Sequence, residues 1–443
     1  MAANFSQNAQ GTELWAPWSE EFGRWPILQG SLFLVNVWSL MSALSPNFGT
    51  VIVARFLGGI SSAGGVIDRE TLGITLGMIS DLWKSNDHQW GLCFVSWTSL
   101  GGPVLGAIIG GFIEDYSNTW RWTMWVQLIF GGALQVIHFF LVPETRTSTM
   151  LNSEAKRRRK AATKEGRECR IVGPTEKMSG GPSLRNVLVI WSRPFEMFLF
   201  EPIVLCCSLL SGFSDMLIFI FLESYGPVYE QWNFTPWKIG LAFMPIMISY
   251  CISWASYLPW FYKEKNMRKK GNLVKPEFRL YWLLWTVPLE PIGLFGFAWS
   301  SLGPARNVHW IAPMIFSFCV GVANYSIFMA TIDFMIQAYG PYSASATGGN
   351  AFARNLLAGI SAMFSAPFYE HFKEPYTLEY PTTILACIGV AVAIPVYFLY
   401  IYQGPIIRHK SRFAQTLAHE RETLELRHQV RDEKKNIEHR ENV

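Results

Sequence analysis

Residues 101–111 read GGPVLGAIIGG. In water such a density of Gly and Pro marks a loop. Its flanks, GLCFVSW over 91–97 and Phe112 with Ile113, are apolar instead. A helix reconciles the two. Gly102, Gly106 and Gly110 recur at i, i+4 and i+8 and so share one face. A Gly stripe lets a neighbouring backbone approach closely, the usual means of packing helices in lipid. Pro103 frees a carbonyl and permits a bend that neighbours can satisfy. The expectation is a membrane helix with a smooth, bendable face. Ordinary small-residue helix packing is the bland alternative.

The composition agrees with a membrane setting. Half of the 443 residues are hydrophobic and only 16% are charged, with 19 Trp and 32 Phe; soluble domains carry about 25% charged residues. A spanning helix needs about 20 mostly apolar residues. Windows near 27–45, 49–80, 90–113, 122–142, 199–225, 238–260, 280–300, 309–330, 345–369 and 381–402 qualify. The opening MAANFSQNAQGTELW has neither the basic nor the apolar region of a signal peptide. The seven Cys form no CxxC pair and read as small packing residues, with no metal implied. There is no Gly-rich phosphate loop followed by Lys, which disfavours nucleotide-driven work. The eight His are scattered, with none paired inside a window, so no enzymatic constellation emerges. No cofactor and no nucleic-acid partner is expected.

Charge orients the windows. Of 37 Lys and Arg, 28 fall in 143–197, 261–279 and 403–443. Alternating spans place all three on one side, and the positive-inside rule makes that side cytoplasmic, with both termini. The tail mixes both signs at helical spacing and reads as a solvated helix. Asn233 opens NFT in a predicted exterior loop and is a possible glycan acceptor, whereas Asn324 opens NYS inside a span and is not.

Several motifs carry a resemblance. In ELWAPWSEEFGRWPIL, 13–28, Glu20, Gly23 and Arg24 precede Pro26 and a new helix; Gly permits a reversal and Pro suits a first helical turn. In VIVARFLGGISSAGG, 51–65, Arg55 sits within an apolar helix, where a cation is costly and marks a functional site unless it snorkels to the interface. Then come the stretch at 101–111, WSRPFEMFLFEPIVLCCSLL, FIFLESYGPVYEQW, KPEFRLYWLLWTVPLEPIGLFGFAWSS, AYGPYSASATGGNAFARNLLAG and GPIIRHKSRFA. In this order they resemble the major facilitator superfamily, in its fungal twelve-helix drug:proton antiporter branch near the polyamine and toxin exporters. The resemblance spans about residues 11–415 and maps the ten windows to family helices three to twelve.

The resemblance implies an all-α polytopic bundle: 1–142 the remnant of a first half-bundle, 143–197 a cytoplasmic basic loop, 198–402 a six-helix half-bundle and 403–443 a charged cytoplasmic tail. It implies a gating loop of Glu20, Gly23 and Arg24, closing on a neighbouring helix end, and a proton-linked Arg55. It makes Gly102, Pro103, Gly106, Gly110 and Gly111 the antiporter-motif helix, although Cys93 and Ala107 replace that motif's first Gly and its Pro. Glu223, a candidate for proton coupling, and Asn350 and Arg354, candidates for the substrate path, match residues typical of the branch. Beside them, Asp215 and Glu290 are carboxylates inside apolar windows, where desolvation favours proton uptake. Trp97, Tyr250 and Trp254 could wall a path for an aromatic or cationic substrate. For each, an interhelical hydrogen bond or plain packing is the competing role.

Two departures stand out. The family's first helix is missing, and about eight extra residues, including Asp68, Arg69 and Glu70, interrupt its fourth. Such charges in mid-membrane cost about 2.5–3.5 kcal/mol each, so the chain as written is expected to insert poorly. The expected function is proton-coupled efflux of small organic molecules (drug, toxin, secondary metabolite or polyamine) by a monomer in the plasma membrane. Its partners would be that substrate, protons and the lipid bilayer. The alternative is a truncated, non-transporting membrane protein.

Overall fold

The computed structural model describes residues 23–62, 88–117, 119–164, 172, 184–270, 276–372, 377–398, 400, 411, 413 and 414. Among these the regular elements are all helices. The first group comprises α1 (Arg24–Ala43), α2 (Phe48–Ser62), α3 (His88–Tyr116) and α4 (Arg121–Leu141). A polar helix, α5 (Thr147–Lys164), and α6 (Leu184–Phe200) lead to the second group. That group holds α7 (Pro202–Glu230), α8 (Pro236–Leu241), α9 (Met244–Lys269), α10 (Tyr281–Thr286), α11 (Leu289–Ser300), α12 (Ile311–Tyr339), α13 (Ser343–Glu370) and α14 (Glu379–Phe398). Pro103 lies inside a continuous α3, so the opening stretch is helix and not loop.

Eight of the described helical stretches are long and apolar enough to cross a membrane. Of the ten sequence windows, 49–80 is seen only through the shorter apolar α2; the rest of it, with Asp68, Arg69 and Glu70, lies outside the described residues. The window at 345–369 forms α13, which is less apolar than the other spans. Its Thr347, Asn350, Arg354, Asn355, Ser361 and Ser365 are buried, because these polar groups are turned toward helical neighbours. The outer surface of α4 is apolar, with Phe140 78% and Leu141 74% exposed, as a lipid-facing helix requires.

In the first group α1 packs on α2 and α4. Trp38 donates to Ser61 at 3.0 Å, Asn36 to Gln135 at 2.8 Å, and Gln29 shares a 2.8 Å hydrogen bond with His138. The second group is the larger core: α7 runs along α13, α11 along α12 and α14, and α9 along α12. Helix α3 packs mainly against α8, α9 and α12 and barely touches α4.

Among the described residues, close approach to α3 falls beside the Gly stripe. An added Cβ at Gly102, Gly106 or Gly110 would meet nothing described within 4 Å. Close approach occurs one residue on, at Gly111, where an added Cβ would lie 2.6 Å from the Pro236 carbonyl and 3.2 Å from Gly240 Cα. Each helical residue is turned by about 100° from the last. The face toward α8 therefore runs through Ala107, Ile108 and Gly111, and the Gly stripe lies beside it.

Candidate functional site: two buried polar clusters and a helix cap

Buried polar atoms must find partners, and the apolar helices of the second group bring several together. On α7, Asp215 Oδ2 lies 3.3 Å from Arg354 Nε of α13, with both side chains almost wholly buried. The Arg354 guanidinium also sits 4.5 Å from the Phe328 ring of α12, a cation–π contact in a dry setting. One turn earlier on α7, Ser211 donates to Asn350 Oδ1 at 2.6 Å. Asn324 of α12 donates to Ser214 at 3.0 Å and accepts from Tyr250 at 3.1 Å.

Glu290 opens α11 and is 0% exposed. Its carboxyl lies near the Ser214 hydroxyl and Asp215 of α7. Five residues expected from sequence therefore converge between α7, α9, α11, α12 and α13: Asp215, Glu290, Tyr250, Asn350 and Arg354. Asn324, Ser211 and Ser214 join them.

The other expected residues stand apart. Glu223, two turns along α7 from Asp215, is exposed. Trp97 and Trp254 are half-buried and pack against the apolar core. Arg55 is half-buried in α2 and donates to Met124 Sδ of α4 at 2.8 Å.

A second cluster, absent from the sequence-based expectations, occupies the end of the bundle where the basic loops emerge. Glu264 of α9 accepts from Arg268 at 2.6 Å and from Arg279 at 3.0 Å. Arg279 also pairs with Asp333 of α12, and Asp333 accepts from Tyr257 at 3.0 Å. Gln89, at the start of α3, donates at 3.0 Å to both Glu264 and Asp333. Glu264, Arg279, Asp333 and Gln89 are all under 8% exposed. Removing one member of such a set leaves an uncompensated charge, so the set holds together or fails together. Gln89 brings the first group of helices into it.

The third feature is a cap. Gly23 has φ +97°, a backbone setting that favours Gly. Glu144, just past α4, accepts from the backbone N–H groups of Arg24 and Trp25, both at 3.1 Å. It also accepts from those of Thr145 and Arg146. First-turn N–H groups lack helical partners, and a carboxylate there satisfies them and the helix dipole. The first turn of α1 thus meets the end of α4 through backbone N–H groups and Glu144. Glu20 lies outside the described residues. Among those residues no group of His, Cys, Asp and Glu is arranged to hold a metal ion.

Residues 11–363 match the family model described as Major Facilitator Superfamily. The chain is 30% identical to the transporter paaT of Penicillium rubens, over 91% of this chain and 70% of that protein. It is 32% identical to the efflux pump atB of Aspergillus terreus, over 90% and 81% respectively. A Major facilitator superfamily multidrug transporter of Candida albicans is 27% identical over 92% of this chain and 65% of its own length. Among solved structures, the human organic anion transporter MFSD10 superposes with a TM-score of 0.55 at 13% identity, covering 89% of this chain and 83% of that one. That likeness speaks for the fold, and the relatives are transporters rather than enzymes. By the length of the family match and the identity to its curated members, this chain is a multi-pass membrane protein belonging to the Major Facilitator Superfamily.

Proposed function

We propose that this chain exports small organic molecules in exchange for protons, in the plasma membrane, with both termini cytoplasmic. The observation that carries the proposal is Glu290: a carboxyl wholly buried in a span, near the Ser214 hydroxyl and Asp215. A group so placed is suited to taking up a proton. Asp215 is held by Arg354, so protonation at Glu290 would alter the charge that this pair faces. At the basic end, Gln89 bridging to Glu264 and Asp333 acts as a latch that parts when α3 moves away from α9 and α12. Similarity to an efflux pump and a multidrug transporter supports the outward direction and a small organic substrate.

The test uses rhodamine 6G efflux from yeast lacking its own drug pumps, with and without a protonophore. Expected are protonophore-sensitive efflux by the wild-type chain and loss of that sensitivity together with efflux in Glu290→Gln. Efflux by Glu290→Gln that still collapses with the protonophore would remove Glu290 from the coupling path. A second reading, a membrane protein that does not transport, draws on the Gly102, Gly106 and Gly110 stripe, where an added Cβ would meet no described residue within 4 Å. Absence of efflux from a correctly inserted wild-type chain across a panel of dyes and polyamines would favour it.

A further inference from the structure

Beyond the last span, a short piece of tail returns to the bundle. Ser411 is 7% exposed and donates to Glu201 Oε1 at 2.9 Å. The other oxygen of Glu201 accepts from the Tyr339 hydroxyl at 3.1 Å. The backbone N–H of Ala414 donates to Ser411 Oγ at 3.1 Å, and Ala414 is 1% exposed. The Phe413 ring meets that of Tyr342 edge-on at 5.3 Å, and the Arg193 guanidinium lies 5.3 Å from the same Tyr342 ring.

Glu201 immediately precedes α7, Tyr339 ends α12, and Tyr342 lies in the turn between α12 and α13. One serine hydroxyl therefore pins the tail where these helix ends meet. In sequence, Ser411 follows Arg408, His409 and Lys410 and precedes Arg412. An Arg three residues before a Ser suits the acidic substrate groove of an Arg-directed protein kinase, where charge pattern sets the choice of substrate.

We propose that Ser411 is a phosphorylation site for a kinase of this class, and that the phosphate releases Ser411, Phe413 and Ala414 from the ends of α7 and α12. In the transfer, Ser411 Oγ attacks the γ-phosphorus of ATP. The new O–P bond forms as the bond to the β,γ-bridging oxygen breaks; ADP leaves and the hydroxyl proton passes to the base of the kinase. The product has lost the proton that Glu201 accepts. It carries about −1.5 to −2 charges at the place where Ser411 Oγ now touches a carboxylate. Like-charge repulsion and desolvation then oppose redocking. Arg193, beside Tyr342, is the cation that could instead hold the phosphate in place. Because Ser411 is buried when docked, the kinase acts on the released tail and traps it there by mass action.

The experiment takes the full chain in lipid nanodiscs with ATP and the catalytic subunit of cyclic-AMP-dependent kinase. Phosphate is mapped by mass spectrometry and backbone opening by hydrogen exchange. Expected are phosphate on Ser411, faster modification of Glu201→Gln, and exchange at 411–414 raised about tenfold after modification. Ser411→Asp should raise exchange similarly, and adding Glu201→Gln should reverse most of that rise. The proposal is overturned if Ser411 stays unmodified in both the wild-type and Glu201→Gln chains. It is equally overturned if the modified chain exchanges at 411–414 no faster than before, since Arg193 then retains the phosphate. If Ser411→Asp does not fold, the enzymatically modified wild-type chain decides the matter.

Discussion

Two adjacent glycines test the packing of α3. At Gly111, ordinary contact of 3.4 Å with the Pro236 carbonyl requires the backbones to part by about 0.8 Å, since an added Cβ would sit at 2.6 Å. The neighbouring atoms, Gly240 N at 3.3 Å and Gly240 Cα at 3.2 Å, are also backbone and cannot swing aside. Overpacking of this kind costs about 1–3 kcal/mol. Against it stands the helix preference for Ala over Gly, about 0.8–1.0 kcal/mol. Gly111→Ala should therefore be net destabilising by up to about 2 kcal/mol. Gly110→Ala gains the same helix preference and meets nothing within 4 Å, so it should stabilise by up to about 1 kcal/mol. Thermal unfolding in detergent, followed by Trp fluorescence, compares the two directly. Equal shifts of the unfolding midpoint, or a larger loss at Gly110, would refute the placement of α3 against α8.

Three further outcomes are expected. Asp215→Asn or Arg354→Met alone should cost about 3–5 kcal/mol, while the double variant costs less than the sum because no lone charge remains; a double-mutant cycle in the same unfolding assay checks this, and strict additivity would deny the pairing. Glu144→Ala should cost about 1–2 kcal/mol by uncapping α1, with Glu144→Gln closer to wild type, and faster hydrogen exchange at Arg24 and Trp25 should accompany the Ala variant only. Gln89→Glu should place a third carboxylate against Glu264 and Asp333 and loosen α3 from α9 and α12. Fluorescent labels on α3 and α9 would then report a wider separation, and an unchanged distance would argue against the latch.

The apolar windows and the motif order made the all-helical bundle and the family legible from sequence alone. Asp215, Glu290 and Arg354 were legible because a charge in an apolar run has few tolerable settings; that they meet across three helices was not, because spacing along one helix says nothing of its neighbours. Glu264 and Arg279 were hidden by their place in a stretch counted for its positive charge, 261–279, whose cations looked solvated. Asp333 was hidden by a window that stopped at 330, three residues short, although ATIDFMIQAY continues the apolar run. Gln89 carries no charge and gave no signal at all. Small residues permit close approach without requiring it, and among the described residues α8 lies against the face adjoining the Gly stripe.

Helix α3 belongs by chain order to the first group and by contact to the second. Suppose the chain is severed between 165 and 183 and the two pieces are made separately in one cell. The amino-terminal piece then carries α3 as a plug already shaped for the groove between α8, α9 and α12, with Gln89 and Gly111 as its two points of register. Reassembly of the halves should follow the fit of this one helix, and a piece ending before His88 should leave its partner unclaimed.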